Sequence, residues 1–316
     1  MNNIPYFDSH CDTISKCAHK GWELREHVGQ LDLMRLKEYK KAVQFFAIFH
    51  NLARCPADGM FAECKRQQQT FVSELAKNAD LAVQCRTAAD IRKANAEGKI
   101  AAVLTCEGTE LLNCDPANLE WAEQVGIRAI NLTWNHPNFI SGTNLYETDR
   151  GLNDLGKEFV RRTQEKKILI DVSHVSDKGF WDLMDITTRP VLASHSNARA
   201  ICDHSRNLTD DMFKAIVQTG GMVGVNYWVM FINNTKEGAT MDEFIRHIDH
   251  FMELGGEKNV GLGSDLDGCA KLPGDMQGVQ DVTMLWEALS KHGYSDALLE
   301  DIFYNNYLAM LERNEA

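Results

Sequence analysis

Eight short apolar runs, each rich in Val, Ile or Phe, recur along the chain at residues 4–8, 42–49, 100–106, 127–133, 168–173, 191–194, 222–227 and 260–263. Runs of this length read as buried strands. Between most of them lie segments whose apolar residues recur at helical spacing, among them 60–78, 152–166, 176–187, 210–219 and 240–254. Thr240-Met241-Asp242-Glu243 has the form of a capping box, and Gly255-Gly256 suits the end of the helix it opens. Segments 282–292 and 296–311 read as two closing helices. Strand and helix alternating eight times over 316 residues point to the α/β class and to a (β/α)8 TIM barrel rather than an open doubly wound sheet. The sequence is 44% apolar, enough for a substantial core, and no Pro-, Gly- or Ser-rich stretch, repeat or low-complexity tract divides it. Residues 1–316 are therefore expected to form a single domain.

The ends of these runs carry the chemistry. The first leads into Asp8-Ser9-His10-Cys11-Asp12, and residues two apart on a strand point the same way, so His10 and Asp12 can reach one metal ion together. The third ends in Cys106-Glu107-Gly108, a carboxylate followed by a glycine that lets the chain turn away. The fifth and sixth end in His174 and His195. The eighth runs into Gly263-Ser264-Asp265-Leu266-Asp267-Gly268, which adds two acids; its glycines lack G-x-G-x-x-G spacing, and the acids would repel phosphate. Any one of these side chains is more often a cap or a solvated loop residue than a ligand. Their recurrence at equivalent strand ends is how a parallel barrel assembles a metal site at the C-terminal rim. Three imidazoles with at least two carboxylates make a mixed N/O set that suits Zn²⁺, with Mn²⁺ or Co²⁺ as substitutes. The number of ligands points to two ions roughly 3.5–4 Å apart, bridged by a carboxylate and by a water whose pKa falls to about 7. Such a pair makes hydroxide for hydrolysis.

The formal charge of −12 argues against nucleic acid or an anionic membrane surface as the main partner. No apolar stretch is long enough to cross a bilayer, and Met1-Asn2-Asn3-Ile4-Pro5 runs into the first strand without a basic and then apolar leader. The nine cysteines are odd in number and lack C-x-x-C spacing, which suits reduced thiols. A cytoplasmic location is expected.

At this point the motifs resemble those of the membrane (renal) dipeptidase family, the binuclear zinc peptidases of family M19, and do so almost from end to end. They are Phe7-Asp8-Ser9-His10-Cys11-Asp12-Thr13, Cys106-Glu107-Gly108, Gly151-Leu152-Asn153-Asp154-Leu155-Gly156 and Asp171-Val172-Ser173-His174-Val175-Ser176-Asp177. Ser194-His195-Ser196-Asn197-Ala198-Arg199, Asp203-His204-Ser205-Arg206-Asn207-Leu208-Thr209-Asp210-Asp211 and Gly263-Ser264-Asp265-Leu266-Asp267-Gly268 complete the match. The resemblance implies that His10 and Asp12 hold one zinc, that His174 and His195 hold the other, and that Glu107 bridges them. It implies that Asp265 orients the bridging water and passes its proton to the leaving amine. It assigns Arg206, whose planar fork suits the task, to the C-terminal carboxylate of a dipeptide. The implied substrates are L,L dipeptides and dipeptides with a D-residue second; a homodimer is expected, with neither nucleic acid nor membrane as a partner.

One segment departs from the family pattern. Its best-known members carry a histidine directly after Leu-Thr, where it supports the carbonyl oxygen in the transition state; here Leu132-Thr133 is followed by Trp134-Asn135-His136-Pro137-Asn138. Three readings stand: His136 supplies the oxyanion contact, Asn135 donates instead, or the metal alone polarises the carbonyl. A packing role for Trp134 with a solvent-facing His136 stands beside them, and a substrate-contacting role for the segment is favoured. The competing enzyme class is another amidohydrolase barrel, such as an N-acyl-D-amino acid deacylase. Those barrels commonly bridge their metals through a carboxylated lysine at the fourth strand, and residues 127–138 contain no lysine. A barrel that only binds would have no need of all five ligands and Asp265.

Overall fold

The computed structural model of the protein describes residues 2–54 and 59–316. Nine parallel strands form one sheet: β1 (Asn2–Cys11), β2 (Tyr39–Phe49), β3 (Ala82–Gln84), β4 (Ile100–Glu107), β5 (Ile127–Asn131), β6 (Leu169–Asp171), β7 (Val191–Ala193), β8 (Met222–Val225) and β9 (Val260–Leu262). Their order is β2-β1-β9-β8-β7-β6-β5-β4-β3, and an additional β2–β4 pairing closes eight of them into a barrel. The expected (β/α)8 architecture is therefore present. The ninth strand lies outside the eight apolar runs. Residues 82–84 pair with 100–102 on β4, on the edge where residues 104–107 of β4 meet β5. This three-residue strand is too short to show a period of two in the sequence.

Strand parity fixes what faces inward. Ser9 of β1 hydrogen-bonds the carbonyl oxygen of Ser194, just beyond β7, a strand that is not a neighbour of β1. The side chain of Ser9 therefore lies within the barrel, and Phe7, of the same parity, stacks on Tyr307 with ring centroids 4.8 Å apart. Tyr307 belongs to the last helix, Asn306–Glu315, and its hydroxyl donates to the carbonyl of Leu262. Further along that helix, Asn314 bonds Lys167 and Arg189, which precede β6 and β7, while Asn306 reaches the carbonyl of Val260 at the start of β9. The C-terminal helix thus closes the barrel beneath the N-terminal ends of the strands, leaving the opposite rim for the site. The closing segment expected at 296–311 comprises Asp296–Glu300, a wider π-helical turn at Asp301–Asn305 and Asn306–Glu315.

The capping box is formed: the Thr240 hydroxyl accepts from the backbone of Glu243, whose carboxylate accepts from the backbone of Thr240. The eight described cysteines are free, and Cys55 lies outside the described residues. No helix among the described residues is long and apolar enough to cross a membrane.

Candidate metal centre

Two buried aspartates shape the rim before any ligand is placed. Asp8 accepts from the backbone N–H of His10 at 2.9 Å and of Ser264 at 3.0 Å, which locks the exit of β1 to the exit of β9. Asp171 accepts from Ser173 at 2.9 Å and Ser194 at 3.1 Å, locking β6 to β7 in the same way. Burial pushes both carboxyls above their ordinary range, and the backbone donors oppose that push. A buried carboxylate is tolerated only with such partners. The sequence displays both aspartates inside apolar runs, a costly placement that signals a partner, yet their targets lie on neighbouring strands and are not legible along the chain.

The outgoing turns then present the candidate ligands. His10 is the penultimate residue of β1, and Asp12 follows it as the N-cap of the helix Thr13–Lys20. Glu107 is the last residue of β4, and Gly108 turns away from it at φ +107°, a region glycine enters without strain. His174 and His195 follow the ends of β6 and β7, and Asp265 follows β9. His174 and Asp265 have positive φ, at +78° and +59°, which bends each turn back over the barrel mouth.

These side chains converge. His10 Nε2 lies 3.7 Å from Asp12 Oδ1, 3.6 Å from Glu107 Oε2 and 4.0 Å from Asp265 Oδ1. On the other side of Glu107, Oε1 lies 3.0 Å from His174 Nε2 and 3.5 Å from His195 Nε2, and these two nitrogens face each other at 2.9 Å. The remaining ring nitrogens are held from behind. His174 Nδ1 meets the Asn135 side-chain oxygen at 2.8 Å, and His195 Nδ1 meets the Ser194 hydroxyl at 2.7 Å, so both Nε2 atoms are presented to the cluster. Gly268 allows the acidic side to close up: a Cβ there would stand 2.1 Å from Asp265 Oδ1 and 2.8 Å from Asp12 Oδ2.

The electrostatics of the cluster suit a cation. Burial raises Glu107 to about 7 and Asp265 to about 6, against the opposing pull of His10. Burial, with the Arg206 and His10 charges, holds His174 and His195 well below the usual imidazole range, so both are neutral donors at physiological pH. His10 resists its own burial because Glu107, Asp12 and Asp265 surround it, and its pKa is raised. His10 Nε2, Asp12 Oδ1 and Glu107 Oε2 are buried without a hydrogen-bond partner. Unpartnered buried atoms of mixed N/O type from the ends of β1 and β4, facing the imidazoles that follow β6 and β7, fit divalent metal ions.

A cavity of about 360 Å³ opens over the cluster. Arg206 reaches its floor, 3% exposed, with one guanidinium nitrogen 3.0 Å from His174 Nε2. Its Nε and Nη1 have no partner, and burial lowers its pKa to about 10, which leaves it charged. Trp134 and Asn135 line the cavity, Trp134 packing on Phe49 at 4.6 Å between ring centroids. His136 is not among the lining residues. Its ring stacks on Tyr146 at 5.7 Å and 9°, and the Asn135 side-chain oxygen is engaged with His174. The sequence reading did not single out Lys16, Phe49, Leu145, Trp228, Met230 or Phe231, which also line the cavity. These residues carry no motif.

The chain matches the profile of membrane dipeptidase (peptidase family M19) over residues 1–316. It belongs to family M19. Among its relatives, an uncharacterised protein from the PQQ-III 3′ region of Acinetobacter calcoaceticus is 33% identical over 288 residues, covering 79% of this chain and 90% of that protein. A metallopeptidase from Rhodobacter sphaeroides, crystallised with a phosphinate mimic of L-Ala-D-Ala, superposes with a TM-score of 0.91 at 26% identity, covering 99% of this chain and all of the other. A solved M19 metallopeptidase, dipeptidase AC, gives 0.92 at 28% identity, with 99% of each chain covered. As a member of the family, this protein is a metal-dependent dipeptidase.

Proposed function

We propose that the protein cleaves free dipeptides with two zinc ions, one held by His10 and Asp12, the other by His174 and His195, with Glu107 between them. One observation carries this reading: the two oxygens of Glu107 are turned to different histidines, Oε2 to His10 and Oε1 to His174 and His195. A carboxylate presented in that way would hold two ions. When bound, the metals supply Lewis acidity, polarising the scissile carbonyl and lowering the pKa of a water toward neutrality.

The chain's own residues do the rest. Arg206 takes the substrate α-carboxylate through guanidinium N–H groups left free, its Nε and Nη1 having no partner of their own. Asp265, held by an Asn226 side-chain N–H at 3.2 Å, accepts the proton of the attacking water and returns it to the leaving amine. Trp134 and Phe49 supply an apolar wall that excludes bulk water. Both L,L dipeptides and dipeptides with a D-residue second belong to this reading, supported by the L-Ala-D-Ala mimic bound to the Rhodobacter sphaeroides relative. A homodimeric, cytoplasmic enzyme is the remaining part of it, carried from the sequence alone.

Two tests follow. Protein loaded with zinc is expected to hold two ions per chain by metal analysis, and chelation to abolish dipeptide hydrolysis; one tightly bound ion with full activity contradicts the two-ion assignment. His136→Ala is expected to leave kcat unaltered and stability within about 0.5 kcal/mol, since the ring packs on Tyr146 outside the cavity. A fall in kcat of roughly 10²–10³-fold at unchanged stability would instead give His136 the oxyanion contact.

A further inference from the structure

The cavity holds a second cation that the proposed mechanism does not use. Lys16 lines it, as do Asp12, Asp265 and Gly268. It lies one helical turn beyond Asp12, with its backbone N–H donating to the carbonyl of Asp12 at 3.2 Å. Helical side chains lean toward the N-terminus of their helix, so Lys16 is carried back over Asp12 and the barrel mouth. Among the described residues its ammonium forms no ion pair and no hydrogen bond, even though Asp12 Oδ1 is itself without a partner. By contrast Lys77 meets Glu74, Lys166 meets Glu120 and Glu123, and Lys178 meets Asp182. A half-buried lysine in the cavity lining, its ammonium unpaired, is positioned to meet an anion that arrives with the substrate.

The two cations stand on different sides of the ligand cluster. Arg206 is against His174 and the carbonyl of His195, whereas Lys16 is on the side of Asp12. With the α-carboxylate held by Arg206 and the scissile carbonyl over Glu107, the amino-terminal residue of a dipeptide extends toward Asp12 and Lys16. The acids there, Asp12, Glu107 and Asp265, suit its ammonium group. Lys16 is then left for its side chain. Phe49, Trp134, Leu145, Trp228, Met230 and Phe231 make much of the remaining lining apolar or aromatic, and beyond Arg206 it holds no other lysine or arginine among the described residues.

We propose that Lys16 is a specificity-determining residue that selects dipeptides whose amino-terminal side chain is a carboxylate, Asp or Glu. The inference rests on the dipeptidase reading and deepens it.

The test compares Glu-Ala with Gln-Ala, which has nearly the same shape without the charge, using the zinc-loaded enzyme. The unmodified protein is expected to favour Glu-Ala in kcat/KM by about tenfold or more, and Lys16→Met to reduce that ratio to near unity. Lys16→Arg should retain the preference, and Lys16→Glu should shift it toward Lys-Ala. Calorimetric Kd values for phosphinate isosteres of Glu-Ala and Gln-Ala should show the same ratio and the same loss in Lys16→Met. A Glu-Ala to Gln-Ala ratio near unity in the unmodified enzyme, or one left unchanged by Lys16→Met, overturns the role of Lys16 while neutral dipeptides are still cleaved. Failure to cleave any dipeptide overturns the dipeptidase reading and this inference with it.

Discussion

Asp265→Asn is expected to lower kcat on the best dipeptide by about 10²-fold or more, with the metal content of the unmodified enzyme retained. The substitution keeps the size of the side chain and its ability to accept from Asn226, but removes its capacity to take a proton. In the proposed reading Asp265 does that work and is not a ligand. Its Oδ1 is 4.0 Å from His10 Nε2, farther than Asp12 or Glu107, while its backbone N–H is fixed on the carbonyl of His10 at 3.2 Å. The turn that carries it has positive φ at both Asp265 and Asp267, a conformation aspartate tolerates, and Gly268 leaves the space the carboxylate occupies. Because Asn preserves shape, KM should change less than kcat. A variant that keeps full kcat removes the proton-transfer role from Asp265, and one that loses a metal ion shows the residue to be a ligand instead.

The convergence of the proposed ligands was legible in the sequence because a parallel barrel delivers every strand end to one rim, so a ligand-type residue after an apolar run is already placed in space. Glu107, His174 and His195 could be read in this way without knowing which strands are neighbours. What was not legible depends on contacts between strands distant in sequence. Asp8 looks like an error inside an apolar run until Ser264 meets it across 256 residues, and Asp171 becomes understandable only with Ser194 beside it. The segment from Trp134 to Asn138 was open for a related reason. Its register on the loop decides whether Asn135 or His136 faces the cavity, and hydrogen bonding of Asn135 to His174 settles a geometry that spacing leaves free. Strand β3 escaped because three residues carry no period. Lys16 carries no motif, and its interest arises from which charges are near it and which are absent.

Arg206→Met is expected to cost roughly 2–5 kcal/mol in transition-state binding, read as a fall in kcat/KM for an unblocked dipeptide. The magnitude follows from burial. A guanidinium only 3% exposed is costly to leave uncompensated, and here it meets neutral His174, the carbonyl of His195 and the face of Phe231, 5.1 Å from the ring centroid, but no carboxylate within ion-pair distance among the described residues. Its Nε and Nη1 are without a partner, so buried guanidinium N–H groups remain free to donate to a carboxylate. His204 steadies the approach by accepting from the Arg206 backbone N–H at 3.1 Å. Methionine fills much of the same volume and can pack on Phe231, so the change isolates the charge and the fork. The unmodified enzyme should in turn discriminate strongly between a dipeptide and its C-terminal amide, and Arg206→Met should erase most of that difference. Arg206→Lys should recover part of the lost kcat/KM, because it restores the charge without the two parallel donors. Equal turnover of the dipeptide and its amide by the unmodified enzyme would show that Arg206 does not hold the α-carboxylate, and the restriction to free dipeptides would then need another origin.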